Sequence, residues 1–400
     1  MASKSRQANR GFNKTVKFVI IKYLINKYNV EYHGLDFKEI KTPYLILCNH
    51  VNNLDPFFVG YYVDEPVHYV TSDEQFRSPI KKFFLNNLLG AIPKKKFVSD
   101  MATVRDIIKI KNNKGVVGIF PEGKRSWQGE TEDVILSTDK LVKMLKIPVI
   151  TFKIQGAHLT HPRWASKSRK GKIYLTSKIS LNEEQLKNMS SDEIHEVLKK
   201  DLYHNETNFQ EKNKIKYKGK KLAEHLELYL FTCPKCKSIG SLKSKHNKIY
   251  CKKCNYNLII NEYGSFEKND NEVYFKYPGQ WDKWQKKYLK NTILNKIKEN
   301  RIIIEDNDIE VFVGSKLKPL KKIIVGNLVL MDDGLYVKGI NNKVKICFEI
   351  KKISGLNVQY NSEFEFYYEN KLYRFRFLIP RTSAYKWCTA LNIMKNIKEF

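Results

Sequence analysis

The sequence has no long apolar run. A helix that crosses a bilayer needs about 20 predominantly apolar residues, and the most apolar stretches of this 400-residue chain are broken by Asn49, His50, Asn52, Asn53 and Asp55 or by lysines. No transmembrane helix is expected. The N-terminus also lacks the compact uncharged segment and small-residue cleavage site of a secretory leader. Cysteine is sparse. Of the seven present, four fall into two Cys-x-x-Cys pairs, which suits a reducing cytoplasm better than a disulfide framework. Acids are missing from residues 1–30 and outnumbered over the whole chain, 42 against 72 Lys and Arg, for a formal charge of +30. Arginine is scarce while Lys, Asn, Ile and Tyr abound, as an A/T-rich coding sequence would produce by itself. The total charge therefore does not choose between nucleic acid, an anionic membrane and a phosphorylated substrate. No fixed-period repeat and no low-complexity tract beyond the lysine runs is found.

What is present suits a folded protein. A hydrophobic content of 42% and an aromatic content of 12% exclude wholesale disorder. The length exceeds one typical core, so two or three domains are expected. Val16–Tyr28 interleaves Phe18, Val19, Ile20, Ile21, Leu24 and Ile25 with lysines, which suggests an interfacial helix. The lysines project on several sides, however, so a helix packed on its own domain is the competing expectation. Tyr44–Cys48, Val67–Val70, Val116–Phe120, Val149–Ile154 and Ile173–Ile179 read as strands. Pro79–Leu89, Met101–Asn112 (with Ser99 and Asp100 as caps), Ser137–Leu145 and Asp192–Tyr203 read as helices. This alternation predicts a central sheet with helices on its faces. A lysine-rich stretch, Lys212 to Lys221, and a short helical pattern, Leu222–Leu230, mark a boundary.

Two polar clusters stand at predicted strand ends, where sites form on such sheets. In Asn49-His50-Val51-Asn52-Asn53-Leu54-Asp55-Pro56, an imidazole that titrates near neutrality can take a proton from a hydroxyl if a carboxylate fixes its tautomer. Asp55 can serve in that role, though an Asp before Pro56 is equally a helix cap. In Phe120-Pro121-Glu122-Gly123-Lys124-Arg125-Ser126, Pro121 and Gly123 force a turn. There Glu122 can bond a hydroxyl, while Lys124 and Arg125 can hold a phosphate.

With these motifs the sequence resembles the glycerolipid acyltransferase family typified by 1-acylglycerol-3-phosphate acyltransferase. Four family motifs have counterparts in order: His50 to Asp55, Gly90-Ala91-Ile92-Pro93-Lys94-Lys95, Phe120 to Ser126, and Ile147-Pro148-Val149-Ile150. Two departures stand out: Lys94, Lys95 and Lys96 occupy the place of the usual arginine, and Lys124 replaces the usual threonine. The resemblance implies an α/β acyltransferase domain, a mixed sheet flanked by helices. It also implies transfer of an acyl group from acyl-CoA or acyl-carrier protein to a lysophospholipid hydroxyl, most directly that of 1-acylglycerol 3-phosphate, in phospholipid biosynthesis. His50 would be the general base and Asp55 its orienting partner. Glu122, Gly123, Lys124, Arg125, Lys94 and Lys95 would bind substrate, and Cys48 would be a core residue. The protein would lie in the cytoplasm, peripherally on the anionic inner face of the cell membrane, with no nucleic-acid partner.

In the second half, Cys233-Pro234-Lys235-Cys236 and Cys251-Lys252-Lys253-Cys254 are separated by fourteen residues. Four sulfur ligands on two knuckles suit a structural tetrahedral Zn²⁺ without an open position. His246, between them, reads as a surface residue. From Ile309 onward strand-like runs, an Asp332-Asp333-Gly334 turn and a closing helix over Thr382–Ile397 suggest a small β-rich, barrel-like domain similar to pleckstrin-homology or GRAM domains. The expected organisation is a basic membrane-contacting segment at 1–30, an acyltransferase domain at 31–205, a lysine-rich helical linker at 206–230, a zinc ribbon at 231–260, a connector at 261–308 and the β domain at 309–400. Two alternatives remain open at this level: a nucleic-acid-binding zinc-ribbon protein, and a catalytically inactive membrane scaffold.

Overall fold

The computed structural model describes residues 8–94, 101–135, 137–314, 319–339 and 343–398. Lys95, Lys96, the expected caps Ser99 and Asp100, and the first seven residues lie outside them. The chain divides into two compact units, Met1–Arg163 with Ser168–Gly219, and Trp164–Lys167 with Lys220–Phe400.

The first unit is built on seven strands: β1 (Val30–His33), β2 (Leu45–Cys48), β3 (Val67–Ser72), β4 (Ile92–Lys94), β5 (Val116–Ile119), β6 (Val149–Gln155) and β7 (Ile173–Leu181). Their order is β1-β7-β6-β2-β5-β3-β4. Strands β6, β2, β5, β3 and β4 run parallel, and β7 runs antiparallel to β6, so the sheet is mixed. Every residue of β2 is buried, as a central parallel strand covered on both faces requires. Alternate side chains serve the two faces. Ile46 and Cys48 join a cluster with Phe58, Val59 and Phe152, while Leu45 and Leu47 join one with Ile107, Val142 and Leu198.

The expected helices form at Met101–Asn112, Ser137–Leu145 and Ser191–Leu202, the last opened by a capping box between Ser190 and Glu193. Residues 10–27 form one helical stretch interrupted by a π-helical turn at Lys17–Ile21, and Pro79–Phe83 continues into a second π turn at Phe84–Leu88. The Leu222–Leu230 helix does not form. That segment runs irregularly with one 3₁₀ turn at Leu226–Leu228, and Leu222, Ala223, Leu226, Tyr229 and Leu230 are all buried.

The second unit holds a four-stranded antiparallel sheet of β8 (Leu242–Lys245), β9 (Lys248–Cys251), β10 (Asn257–Ile260) and β11 (Phe266–Lys268). After the helix Pro278–Lys298 come seven antiparallel strands: β12 (Ile304–Gly314), β13 (Lys321–Leu330), β14 (Leu335–Lys338), β15 (Val344–Phe348), β16 (Ser354–Gln359), β17 (Glu363–Tyr368) and β18 (Lys371–Phe377), in the order β15-β14-β13-β12-β18-β17-β16. The turn at Asp332-Asp333-Gly334 joins β13 to β14, with Met331 N–H donating to Gly334 O at 3.0 Å. The closing helix, Ala384–Lys398, lays Trp387 parallel to Phe364, ring centroids 6.2 Å apart. No helix among the described residues is long and apolar enough to cross a membrane.

Candidate active site and candidate metal centre

Strand pairing assembles the site. Strands β2 and β5 lie side by side and parallel with Leu47 opposite Ile119, so the chain leaving each strand emerges at the same end of the sheet. One exit carries His50 and the other carries Glu122 and Arg125.

The His50 ring is one-fifth exposed, and its Nδ1 lies 2.9 Å from Asp55 Oδ2. That oxygen also accepts from the Val51 and Asn52 N–H groups, each at 2.8 Å. With that oxygen already accepting two backbone N–H groups, the imidazole bond is assigned as a donation from Nδ1–H, which leaves Nε2 as the free base. Asp55 occupies the first turn of the helix Asp55–Tyr62, whose cap is Leu54, so its carboxylate serves the histidine loop. Phe120 stacks against the imidazole at 4.3 Å between centroids. Burial lowers the His50 pKa below its ordinary value, assisted by the positive charges of Arg125 and Arg163 and opposed by Asp55.

Asn49 fixes the loop from behind. Its side-chain amide donates to Ile154 O at 2.9 Å and accepts from Ile154 N–H at 2.7 Å, a two-bond clamp onto β6. Asn52 donates to Ala157 O and Thr160 Oγ1, each at 2.9 Å. Cys48 is buried, and burial raises its thiol pKa well above the ordinary range, as expected of a core residue and unlike an activated nucleophile.

Glu122 is buried, and both of its oxygens are engaged by backbone. Oε1 accepts from His50 N–H at 2.6 Å and Oε2 from Glu132 N–H at 2.8 Å. Burial raises its pKa well above the ordinary range, against the pull of those two donors. Ser126 N–H donates to His50 O at 3.0 Å, a second tie between the loops. Gly123 turns the chain at φ 66°, a conformation in which a side chain is strained. Arg125 is half-buried, and burial lowers its pKa while Asp55 raises it. Lys124 pairs with Glu132 at 3.3 Å. Lys94 ends β4 at the same end of the sheet, but β3 and β5 stand between β4 and β2, about 14 Å in strand spacing. The structure thus brings together His50, Asp55, Glu122 and Arg125, sets Lys124 on an acid and leaves Lys94 apart.

A third exit is populated too. The chain leaving β6 carries His158, His161, Arg163 and Arg169, followed further on by His204 and Glu206, and His158, Arg163, Arg169, His204 and Glu206 are all buried. His204 Nε2 lies 2.9 Å from Glu206 Oε2. Of these, His158 and His161 stand close behind a buried strand, the signal that marked the first two loops, whereas Arg163, Arg169, His204 and Glu206 carry no such signal.

In the second unit the sulfur atoms of Cys233, Cys236, Cys251 and Cys254 lie within 4.8 Å of one another and can hold a metal ion. Cys233 and Cys254 are 3.7 Å apart, as are Cys236 and Cys251. A tetrahedron with metal–sulfur bonds of about 2.3 Å has edges of about 3.8 Å, so the donor set fits Zn²⁺. His246 is exposed on the β8–β9 turn.

No curated protein sequence matches the chain. Among solved structures, the chain is similar to the 1-acyl-sn-glycerophosphate (LPA) acyltransferase PlsC from Thermotoga maritima, with 17% identity over 48% of this chain and 85% of that one at a TM-score of 0.38. It is also similar to the Vav1 exchange factor in a structure concerned with its PH and C1 domains, with 9% identity over 27% and 32% of the two chains at a TM-score of 0.18. At such scores neither likeness adds to the geometry. The family model described as Acyltransferase matches residues 29–155, a span that includes His50, Asp55, Glu122 and Arg125.

Proposed function

We propose that the protein transfers an acyl group from acyl-CoA or acyl-carrier protein to the hydroxyl of a lysophospholipid, with 1-acylglycerol 3-phosphate as acceptor, in phospholipid biosynthesis. The observation that carries this reading is the His50–Asp55 pair at 2.9 Å, held beside the Arg125 loop at the parallel ends of β2 and β5. Asp55 is the orienting group and His50 Nε2 the base, an arrangement like a triad without its serine. As the acceptor hydroxyl gives its proton to Nε2, its oxygen attacks the thioester carbonyl. The C–O bond forms, the tetrahedral intermediate collapses with cleavage of the C–S bond, and the imidazolium returns the proton to the leaving thiolate. The buried thiol of Cys48 supports direct transfer without an acyl-enzyme.

Zn²⁺ held by Cys233, Cys236, Cys251 and Cys254 would be structural, since four thiolates complete its coordination. The strand order from β12 to β18 and the helix Ala384–Lys398 support a pleckstrin-homology-like reading of that region. Exposed Phe18, Val19, Ile20 and Tyr23, with Lys14, Lys22 and Lys27 on the same helical stretch, support contact with an anionic membrane surface on the cytoplasmic side.

The test is acyl transfer from acyl-CoA and from acyl-carrier protein to 1-acylglycerol 3-phosphate in detergent. His50→Ala should lower kcat by roughly 10²–10⁴. Because the lowered pKa of His50 keeps it neutral into mild acid, the acid limb of wild-type kcat/KM should have its midpoint below the ordinary histidine value of about 6.5. Near-wild-type activity of His50→Ala would overturn the assignment.

A further inference from the structure

We propose that Glu206 is a positioning residue for the reaction at His50, holding from behind the two loops between which His50 and Asp55 are set; this rests on the acyl-transfer reading above. Glu206 opens the helix Glu206–Asn213 and lies outside residues 29–155, the span matched by the family model. Its side chain serves the exit of β6. Glu206 Oε2 accepts from Gly156 N–H at 3.1 Å and lies 2.9 Å from His204 Nε2. Gly156 leads into the short helix Ala157–Thr160, and Asn52 Nδ2 donates to Ala157 O and Thr160 Oγ1. The Asn52 N–H in turn donates to Asp55 Oδ2, the oxygen that meets His50 Nδ1. Its backbone serves the exit of β5. Glu206 N–H donates to Gly129 O at 3.0 Å. Beside it His204 N–H donates to Thr131 Oγ1 at 2.8 Å and Thr131 N–H to His204 O at 2.9 Å. Gly129 N–H donates to Ser126 Oγ at 3.0 Å, and Ser126 N–H to His50 O at 3.0 Å. Two chains of hydrogen bonds and short peptide segments therefore run from Glu206 to the histidine loop, one on each side.

The seat is tight. Gly156 has φ 82°, and a Cβ on it would lie 2.5 Å from both Lys172 O and Tyr217 Oη. Gly129 has φ 79°, and a Cβ there would lie 2.7 Å from Glu206 Cβ and 2.8 Å from His158 Cδ2. Both loop backbones are thus pressed against their neighbours, and a close-packed interior passes a displacement on instead of absorbing it. The side chains of His204 and Glu206 are each 3% exposed, so Glu206 reaches the reaction through these bonds and not by touching substrate. Misplacing a reacting group by about 1 Å can cost on the order of 10²-fold in rate. Loosened loops also admit water to His50, and burial is the largest cause of its lowered pKa. Asp55, Arg125 and Arg163, the charged groups that act on His50, are all retained in a Glu206 variant.

Acyl transfer by the full-length protein is measured for wild type, Glu206→Ala, Glu206→Gln and, as a control, Leu186→Ala, a buried member of the cluster around Leu45 and Leu47. In parallel the His50 imidazole is titrated by NMR in histidine-labelled protein, its signal assigned by its absence from His50→Ala. Glu206→Ala removes the bonds to Gly156 and His204. Its kcat should fall by about 10²-fold while the acceptor KM changes less than about threefold. Both the acid limb of kcat/KM and the His50 titration should move up toward the ordinary value of about 6.5. Glu206→Gln keeps a carbonyl for Gly156 N–H and turns its amide to His204 in the other tautomer, so it should recover most of kcat. Leu186→Ala should lower the melting temperature and leave the His50 titration where it is. Should Glu206→Ala fail to fold, Glu206→Asp decides, its carboxylate drawn back by one methylene: a lowered kcat with a raised His50 titration supports the proposal, and wild-type values overturn it. A Glu206→Ala protein that loses only melting temperature, with the kcat and His50 titration of wild type, would overturn it, as would a raised acceptor KM at unchanged kcat. No acyl transfer by wild type would overturn the acyl-transfer reading instead. In that case a His50 titration that still moves up in Glu206→Ala leaves the hold on the two loops standing, and one that stays overturns both.

Discussion

Glu122 illustrates how a side chain that looks like a substrate ligand can instead set the geometry of its neighbours. Its two oxygens receive the N–H groups of His50 at 2.6 Å and Glu132 at 2.8 Å, so the carboxylate staples the histidine loop to the turn that carries Arg125. Replacing it by glutamine leaves one carbonyl oxygen and turns an amide NH₂ toward the second backbone donor. A buried donor deprived of its acceptor costs about 1–3 kcal/mol. Glu122→Gln should therefore lower the melting temperature and reduce kcat at least tenfold, with the acceptor KM changed less than threefold. A role in gripping the acceptor would instead appear as a raised KM at unchanged melting temperature, and steady-state kinetics beside thermal denaturation separates the two. From sequence, the loop's proximity to His50 is legible because both motifs end apolar strand runs. Which way the carboxylate points is not, because it depends on the pairing of Leu47 with Ile119, a contact between segments some seventy residues apart. Arg163 and Glu206 escaped notice for a related reason: their bonds to Arg125 O and Gly156 N–H join segments far apart in the chain.

At the scale of elements, the strands of the first sheet that sequence reading found are its five inner ones, and those it missed, Val30–His33 and Ile92–Lys94, are its two edges. An edge strand is half-covered and needs no continuous apolar run, and Pro93 can sit there because it has no ladder donor to lose. The opposite error, a helix read into Leu222–Leu230, arose where nearly every residue is buried and periodicity carries no information. That segment leads into the first cysteine knuckle and is held by the helix Pro278–Lys298. Gln285 accepts from Phe231 N–H at 2.9 Å, and Trp281 Nε1 donates to Thr232 O at 2.9 Å. Trp281 in turn packs on Phe266 and Tyr256, with ring centroids 5.5 and 6.2 Å away. The four cysteines can thus be joined by a metal ion at one end and are anchored by a tryptophan at the other. Removing zinc with a strong chelator should leave four thiols without their common centre. Knuckle amides such as Lys237 and Asn255, which donate to Cys233 O and Cys251 O at 3.0 Å, should then exchange at least tenfold faster with deuterium. Those of Leu45–Cys48 should keep their protection. Unchanged exchange at the knuckles after chelation, with no zinc in the untreated protein, would remove the ribbon.

Over the whole molecule, the net charge of +30 matters less than where cations meet uncovered apolar surface. On residues 10–27, Ile21 and Ile25 enter the core while Phe18 is 71% exposed and Val19, Ile20 and Tyr23 are also uncovered. The stretch 79–88 adds exposed Ile80, Phe83 and Phe84, and it is joined to the first by Asn9 N–H and Asn13 Nδ2, both donating to Leu88 O at 3.2 Å. Lys14, Lys22, Lys27, Lys81 and Lys82 lie along the same two stretches. Apolar groups flanked by ammonium groups bind a lipid surface by two separable forces, one screened by salt and one not. Vesicles of phosphatidylcholine with a third phosphatidylglycerol should therefore sediment the protein. Raising the salt from 0.1 to 0.5 M should weaken partitioning at least tenfold without abolishing it. Phe18→Ser combined with Phe83→Ser should remove most of the salt-resistant part, because each exposed ring that enters the interface contributes on the order of 1–3 kcal/mol. The double variant should keep its melting temperature, since neither ring is packed in the core. Binding that salt removes entirely, and that the double variant leaves intact, would assign the contact to charge alone and detach these two stretches from the membrane.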